Sequence, residues 1–102
     1  EAVISPLHRA ALKTDAPTGL TNVFTGRPAR GIVNRVVRDW GPVNPLVPAF
    51  PLATAAMAPL RAWAEARGHA DFSPLWSGQN RSGCREGAAA DLTRELAAAW
   101  PV

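Results

Sequence analysis

The sequence is poor in the side chains that carry covalent or metal chemistry. It has one cysteine, Cys84, in 102 residues. A single thiol closes no internal disulfide, so a disulfide-stapled scaffold is excluded and a reduced, cytoplasmic setting is the simplest expectation. The two histidines, His8 and His69, lie far apart and with one Cys make no metal-ligand pattern, so no metal site is expected. The eight glycines are scattered singly. A phosphate-cradling loop, which needs clustered backbone N–H groups, is therefore absent. No stretch approaches the ~20 apolar residues that span a bilayer. No basic start is followed by an apolar run, so neither a secretion signal nor a membrane partner is expected. The chain opens on Glu1 rather than Met, which suggests a processed or truncated product.

Bulky core formers are scarce as well. Hydrophobic residues make up 47%, yet the aromatics are four Trp and three Phe, with one Met and no Tyr. Much of the remainder is Ala, which favours helices but fills little volume. Ten Pro interrupt the chain. The expectation is a mainly α unit of short helices between proline-bounded turns, a single small domain over 1–102 that leans on a larger body. The net charge is +3, nearly all the positive charge being Arg. That permits nucleic-acid binding without requiring it.

Local signals place the elements. Ser5-Pro6 is a cap followed by a first-turn proline, predicting a helix over 6–13. Pro17 and Gly19 mark a turn, and 20–25, with Val23 and Phe24, reads as one short strand. Pro28 opens a second expected helix running to Trp40. Ile32, Val33, Val36, Val37 and Trp40 fall on one side of it, and Arg30, Asn34, Arg35 and Arg38 mostly on the other. Gly41-Pro42 ends it, and 43–51, with Pro45, Pro48 and Pro51, reads as an extended linker. A third helix is expected over 54–67, bent or begun near Pro59, with Leu60, Trp63 and Ala64 as its apolar stripe and Met57 extending it. Phe72, Leu75 and Trp76 are expected to point inward from a single helical turn over 71–76. Ser77-Gly78-Gln79 should open a helical segment through Cys84, and 88–100 a last helix with Leu92, Leu96 and Trp100 inward.

Three ordered stretches carry a family resemblance. They are Phe24-Thr25-Gly26-Arg27-Pro28-Ala29-Arg30-Gly31 with Asn34-Arg35, then Pro59-Leu60-Arg61 after Phe50-Pro51, then Leu75-Trp76-Ser77-Gly78-Gln79 with Arg85-Glu86. Together with the Ser5-Pro6-Leu7-His8-Arg9 opening they resemble the C-terminal region of the nitronate monooxygenases, also called 2-nitropropane dioxygenases, over nearly the whole chain. The resemblance implies a helical, lid-side segment that packs against a flavin-binding (β/α)8 barrel. It further implies an FMN-dependent oxidation of alkyl nitronates by dioxygen to a carbonyl compound and nitrite. The phosphate site and the catalytic histidine of that family lie in the barrel. Hence no catalytic residue is expected in this chain, and FMN is not expected to stay on it alone. A flavin-dependent enoyl-acyl-carrier-protein reductase shares a similar Thr-Gly-x-Pro-x-Arg stretch. A small basic helical binding module is the alternative of a different class.

Among individual residues, Ser77, Gly78 and Gln79 are the cofactor-binding candidates. A helix start there would offer free N–H groups, Gly78 would allow close approach, and Gln79 both donates and accepts. A plain helix cap is the competing reading. Asn80-Arg81 stand where relatives carry a small or aromatic pair. The Arg27, Arg30, Arg35, Arg38 cluster could grip phosphate, but no aromatic platform accompanies it, so no nucleic-acid partner is expected and a solvated face with ion pairs is. Cys84 has Arg81 and Arg85 nearby but no base, which suits a small core residue better than a nucleophile.

Overall fold

A computed structural model describes residues 3–101. The element order is α1 (Pro6–Leu12), β1 (Thr18–Thr21), β2 (Ala29–Ile32), α2 (Arg35–Trp40), α3 (Leu52–Glu65) and α4 (Ala89–Ala98). The α1 start is as the sequence predicts: the Ser5 side chain accepts from the His8 N–H. The helix stops about two turns later, where the Thr14 hydroxyl turns back to the Ala11 carbonyl.

The expected single strand over 20–25 and the expected helix over 28–40 are both corrected. β1 and β2 form an antiparallel ribbon with Thr18 opposite Ile32 and Thr21 opposite Ala29. Only Arg35–Trp40 is helical in the second stretch. The reason is local: a run of Gly26, Pro28 and Gly31 disfavours helix, and the β-branched Ile32 and Val33 serve a strand equally well. The apolar spacing of 32, 36 and 37 survives because the strand feeds straight into the helix. Ile32, Val36 and Val37 are all buried.

The core is small. Val23, Phe24, Val36 and Val37 are its buried cluster, with Val33, Val47, Met57, Phe72 and Trp76 packed around them. Trp76 meets Phe24 edge to face at 5.5 Å, a favourable quadrupole arrangement. The proline-rich stretch expected as an extended linker is a set of turns bound to the end of β1. Asn22 and Asn44 exchange two hydrogen bonds at 2.9 Å, and the Thr21 hydroxyl donates to the Pro42 carbonyl.

The inward stripe expected on α3 is corrected in part: Ala64 is buried and Met57 packs against the core as expected, but the other two residues do not. Ala53 and Ala64 are the buried residues of that helix, whereas Leu60 and Trp63 are exposed. Small residues permit close approach of the helix to the core, so Ala53 and Ala64, with the half-buried Met57, face it. Trp63 instead lies under the Arg67 guanidinium, 4.2 Å from its ring centroid. Trp40, Leu92, Leu96 and Trp100 are likewise exposed rather than inward, and α4 has no buried residue. Its ties to the rest are polar, such as the Arg85–Glu95 ion pair. The radius of gyration is 15.7 Å, against about 13 Å for a compact chain of this length. No helix among the described residues is long and apolar enough to cross a membrane.

Candidate functional site

The stretch 75–77 is built onto the outer edge of β2. The Ile32 N–H donates to the Leu75 carbonyl at 2.8 Å, and the Ser77 N–H to the Arg30 carbonyl at 3.3 Å. Gly31 and Trp76 form an isolated antiparallel bridge. A third, irregular strand therefore runs beside the ribbon, and glycine at 31 makes it possible: a Cβ there would stand 3.0 Å from the Leu75 carbonyl oxygen. The neighbouring turn is set the same way. Gly26 has φ +97° and lies against the backbone of 48–50, where a Cβ would fall 2.5 Å from the Phe50 nitrogen.

Ser77, Gly78 and Gln79 follow immediately. No helix opens there. Residues 77–84 are turns and irregular chain, which corrects the expected helical segment and leaves no helix N-terminus to offer N–H groups there. The chemistry left is that of the turn itself. The Ser77 hydroxyl donates to the Gly78 carbonyl. Gly78 has open space where a side chain would be, and Gln79 is exposed, with both amide groups available to a ligand. Gln79 also lines a cleft of about 610 Å³, shared with Lys13, Asp15, Thr18, Asn80 and Arg81.

Long-range contacts that the sequence did not announce hold this region. The His8 ring meets the Trp76 carbonyl through Nε2 at 2.9 Å. A carbonyl only accepts, so the proton sits on Nε2. Arg81 Nη2 donates to the Thr14 and Ala16 carbonyls, both at 2.6 Å. Beneath the segment, the buried Asn34 donates to the Ala70 and Ser73 carbonyls, both at 2.8 Å. Glu65 accepts from Arg61 Nε and from the Ser73 hydroxyl, each at 2.7 Å. These two bonds, Arg61 first, hold the Glu65 carboxyl below its ordinary value against the opposing effect of burial. The partners of His8, Arg81 and Asn34 stand tens of residues away and leave no mark in local periodicity.

The remaining candidates disperse. Arg27 lies over the Phe50 ring at 4.6 Å, Arg30 donates to the Thr18 hydroxyl, and Arg35 pairs with Asp39, while Arg38 is exposed. The four stand on a turn, a strand and a helix, not in one anion grip. Cys84 is exposed, which corrects the expectation of a core cysteine. Among the described residues no group of three His, Cys, Asp or Glu could hold a metal ion. An apolar cleft of about 710 Å³ opens between α2 and α3, lined by Trp40, Leu46, Met57 and Leu60.

No family model matches the chain, but individual proteins do. A nitronate monooxygenase of Pseudomonas aeruginosa is 39% identical over 99 residues, 94% of this chain and 28% of that protein. A probable nitronate monooxygenase of Staphylococcus saprophyticus is 34% identical over 73 residues, 72% of this chain and 21% of the other. In structure, the crystallographically determined nitroalkane oxidase of Streptomyces ansochromogenes superposes with a TM-score of 0.81 at 41% identity, covering 93% of this chain and 27% of that one. Sequence and fold thus both match a segment of larger oxidoreductases, and this chain spans about a quarter of their length. Within that class the chain is a homologue of the nitronate monooxygenases, in line with the resemblance carried by its three motifs.

Proposed function

We propose that this chain is the C-terminal, lid-side part of an FMN-dependent nitronate monooxygenase, which oxidises alkyl nitronates with dioxygen to a carbonyl compound and nitrite. The observation that carries the proposal is the agreement of sequence and fold with such enzymes over more than nine-tenths of the chain. A second feature supports it. Leu52, Leu60 and Trp63 of α3 and Leu92 and Leu96 of α4 are exposed, and a ten-residue helix such as α4 is below the ~12–15 residues at which isolated helices become even marginal in water. Docking on a (β/α)8 barrel would cover both.

In that assembly Gly78 and Gln79 meet the flavin or the nitronate. The turn suits the role in two ways: Gly78 allows a planar ring to approach the backbone, and Gln79 offers one donor and one acceptor group. Nothing in it resembles a phosphate cradle, so the FMN phosphate is assigned to the barrel. The bound flavin supplies the redox chemistry. This chain's residues orient its edge and exclude water, and none of them is catalytic. Alone, the chain neither turns over nitronate nor retains FMN. The free, exposed Cys84 suits a cytoplasmic protein. The test is reconstitution with a barrel segment, measuring flavin retention and nitrite release. A barrel that binds FMN and turns over nitronate equally well without this chain would refute the proposal.

A further inference from the structure

We infer that His8 and Arg81 are the positioning residues of the Gly78 and Gln79 turn, clamping it from its two sides onto the first helix and the loop that follows. The functional weight of the inference rests on the reading that this turn meets the flavin. The clamp itself does not.

Gly78 and Gln79 are exposed, and a Cβ at Gly78 would meet nothing within 4 Å. Such a turn has no packing of its own to fix it. Its position depends on what grips the chain just before and just after it. Before it, the Trp76 carbonyl receives the His8 Nε2 proton at 2.9 Å. The Trp76 ring is already fixed edge to face on Phe24, so the histidine sets the direction of the peptide leaving that ring. After it, Arg81 Nη2 reaches the Thr14 and Ala16 carbonyls, 67 and 65 residues away, at 2.6 Å each. Hydrogen bonds from a charged guanidinium are stronger than neutral ones, and two acceptors on one nitrogen fix its location. Both anchors are on the same short unit, α1 and its exit. That unit is secured to the ribbon by the Val33 N–H, which donates to the Pro17 carbonyl at 2.8 Å. It is secured to the far side by Lys13, which pairs with Glu86 at 3.0 Å. His8, Thr14 and Ala16 thus act on the turn from α1 and its exit.

Hydrogen–deuterium exchange read by mass spectrometry tests this at micromolar concentration on the full chain, in peptides covering 75–84 and 23–37. His8→Phe keeps a ring but removes the donor; Arg81→Met keeps the stem but removes the guanidinium. His8→Phe should speed exchange in 75–84 by about two- to tenfold, what one hydrogen bond of ordinary net strength is worth, and Arg81→Met, which removes two bonds from a charged donor, by about tenfold or more, with 23–37, tied to that segment through the Ile32 N–H, changed less. His8→Gln, which still offers an N–H at similar reach, should return the slow rate. Unchanged exchange in 75–84, equal acceleration of 23–37, or failure of Gln to restore protection would each overturn the inference. FMN affinity of the chain reconstituted with its barrel separates the two claims. Faster exchange with weaker FMN binding supports both. Faster exchange with unaltered FMN binding upholds the clamp and refutes the flavin contact under Proposed function.

Discussion

Three glycines make a graded test of how backbone geometry holds this fold. Gly26 combines both constraints: φ is +97°, and a Cβ would sit 2.5 Å from the Phe50 nitrogen and 2.6 Å from the Pro48 oxygen. Both neighbours are backbone, so neither can rotate away. Gly68 has only the first constraint, φ +77° with open space around it, and Gly78 has neither. An alanine in the left-handed region costs about 1–2 kcal/mol, and forcing atoms into a filled site adds about 1–3 kcal/mol. Gly26→Ala should therefore cost about 2–5 kcal/mol, a large part of the ~5–15 kcal/mol that a domain has. Gly68→Ala should cost about 1 kcal/mol, since restricting the unfolded chain returns part of the penalty. Gly78→Ala should stay within about 0.5 kcal/mol of zero. Urea unfolding followed by Trp fluorescence reads the core directly, because Trp76 packs on Phe24. The order of midpoints should be Gly78→Ala, then Gly68→Ala, then Gly26→Ala, the last by far the lowest. Equal midpoints for Gly26→Ala and Gly78→Ala would refute the claim that 26 is held against 48–50.

Other outcomes follow from the same contacts. Asn34→Ala, which strips hydrogen bonds from the Ala70 and Ser73 carbonyls, should destabilise the core by about 1–3 kcal/mol in the same urea assay. Glu65 has a folded-state pKa below its ordinary value, so its contribution is present above the unfolded pKa and is lost as pH falls through the folded one. A urea-midpoint series through the acid range should show that loss in wild type and a smaller one in Glu65→Gln. Leu96→Glu alters a residue that is 65% exposed. It should change the stability of the free chain by less than about 0.5 kcal/mol but weaken its association with a barrel, measurable by pull-down of the two segments.

Some of this molecule could be read from its sequence. Ser5-Pro6 marks the start of α1, and the Ile32, Val36 and Val37 spacing picks out core residues whether the chain before Asn34 is helix or strand. Leu75 and Trp76 are inward as expected, although as an irregular strand rather than a helical turn. The failures have one cause in common. A period of apolar residues shows that a face exists, not which partner covers it. Leu60, Trp63, Leu92 and Leu96 keep the helical pattern of buried residues yet lie in the open here, as they would if their partner were another body. The ribbon was missed because strand pairing is decided by a second segment, and Ala29–Ile32 satisfies two periodicities at once. At the site, Ser77, Gly78 and Gln79 could be picked out by residue type. What holds them could not, because His8 and Arg81 act across more than sixty residues.

The central claim, that this chain is one part of a flavoenzyme whose remainder covers its apolar faces, is tested most directly by dye binding with and without a barrel. Leu92, Leu96 and Trp100 on and beside α4, with Leu60 and Trp63 on α3, are all more than a third exposed. Large apolar side chains exposed together in this way favour association with another surface. The free chain should bind a hydrophobic dye and self-associate. Co-expression with a barrel segment should abolish the dye signal and give a yellow complex that retains FMN through gel filtration. A free chain that is monodisperse and binds no dye would contradict the account and show that these faces need no further body to cover them.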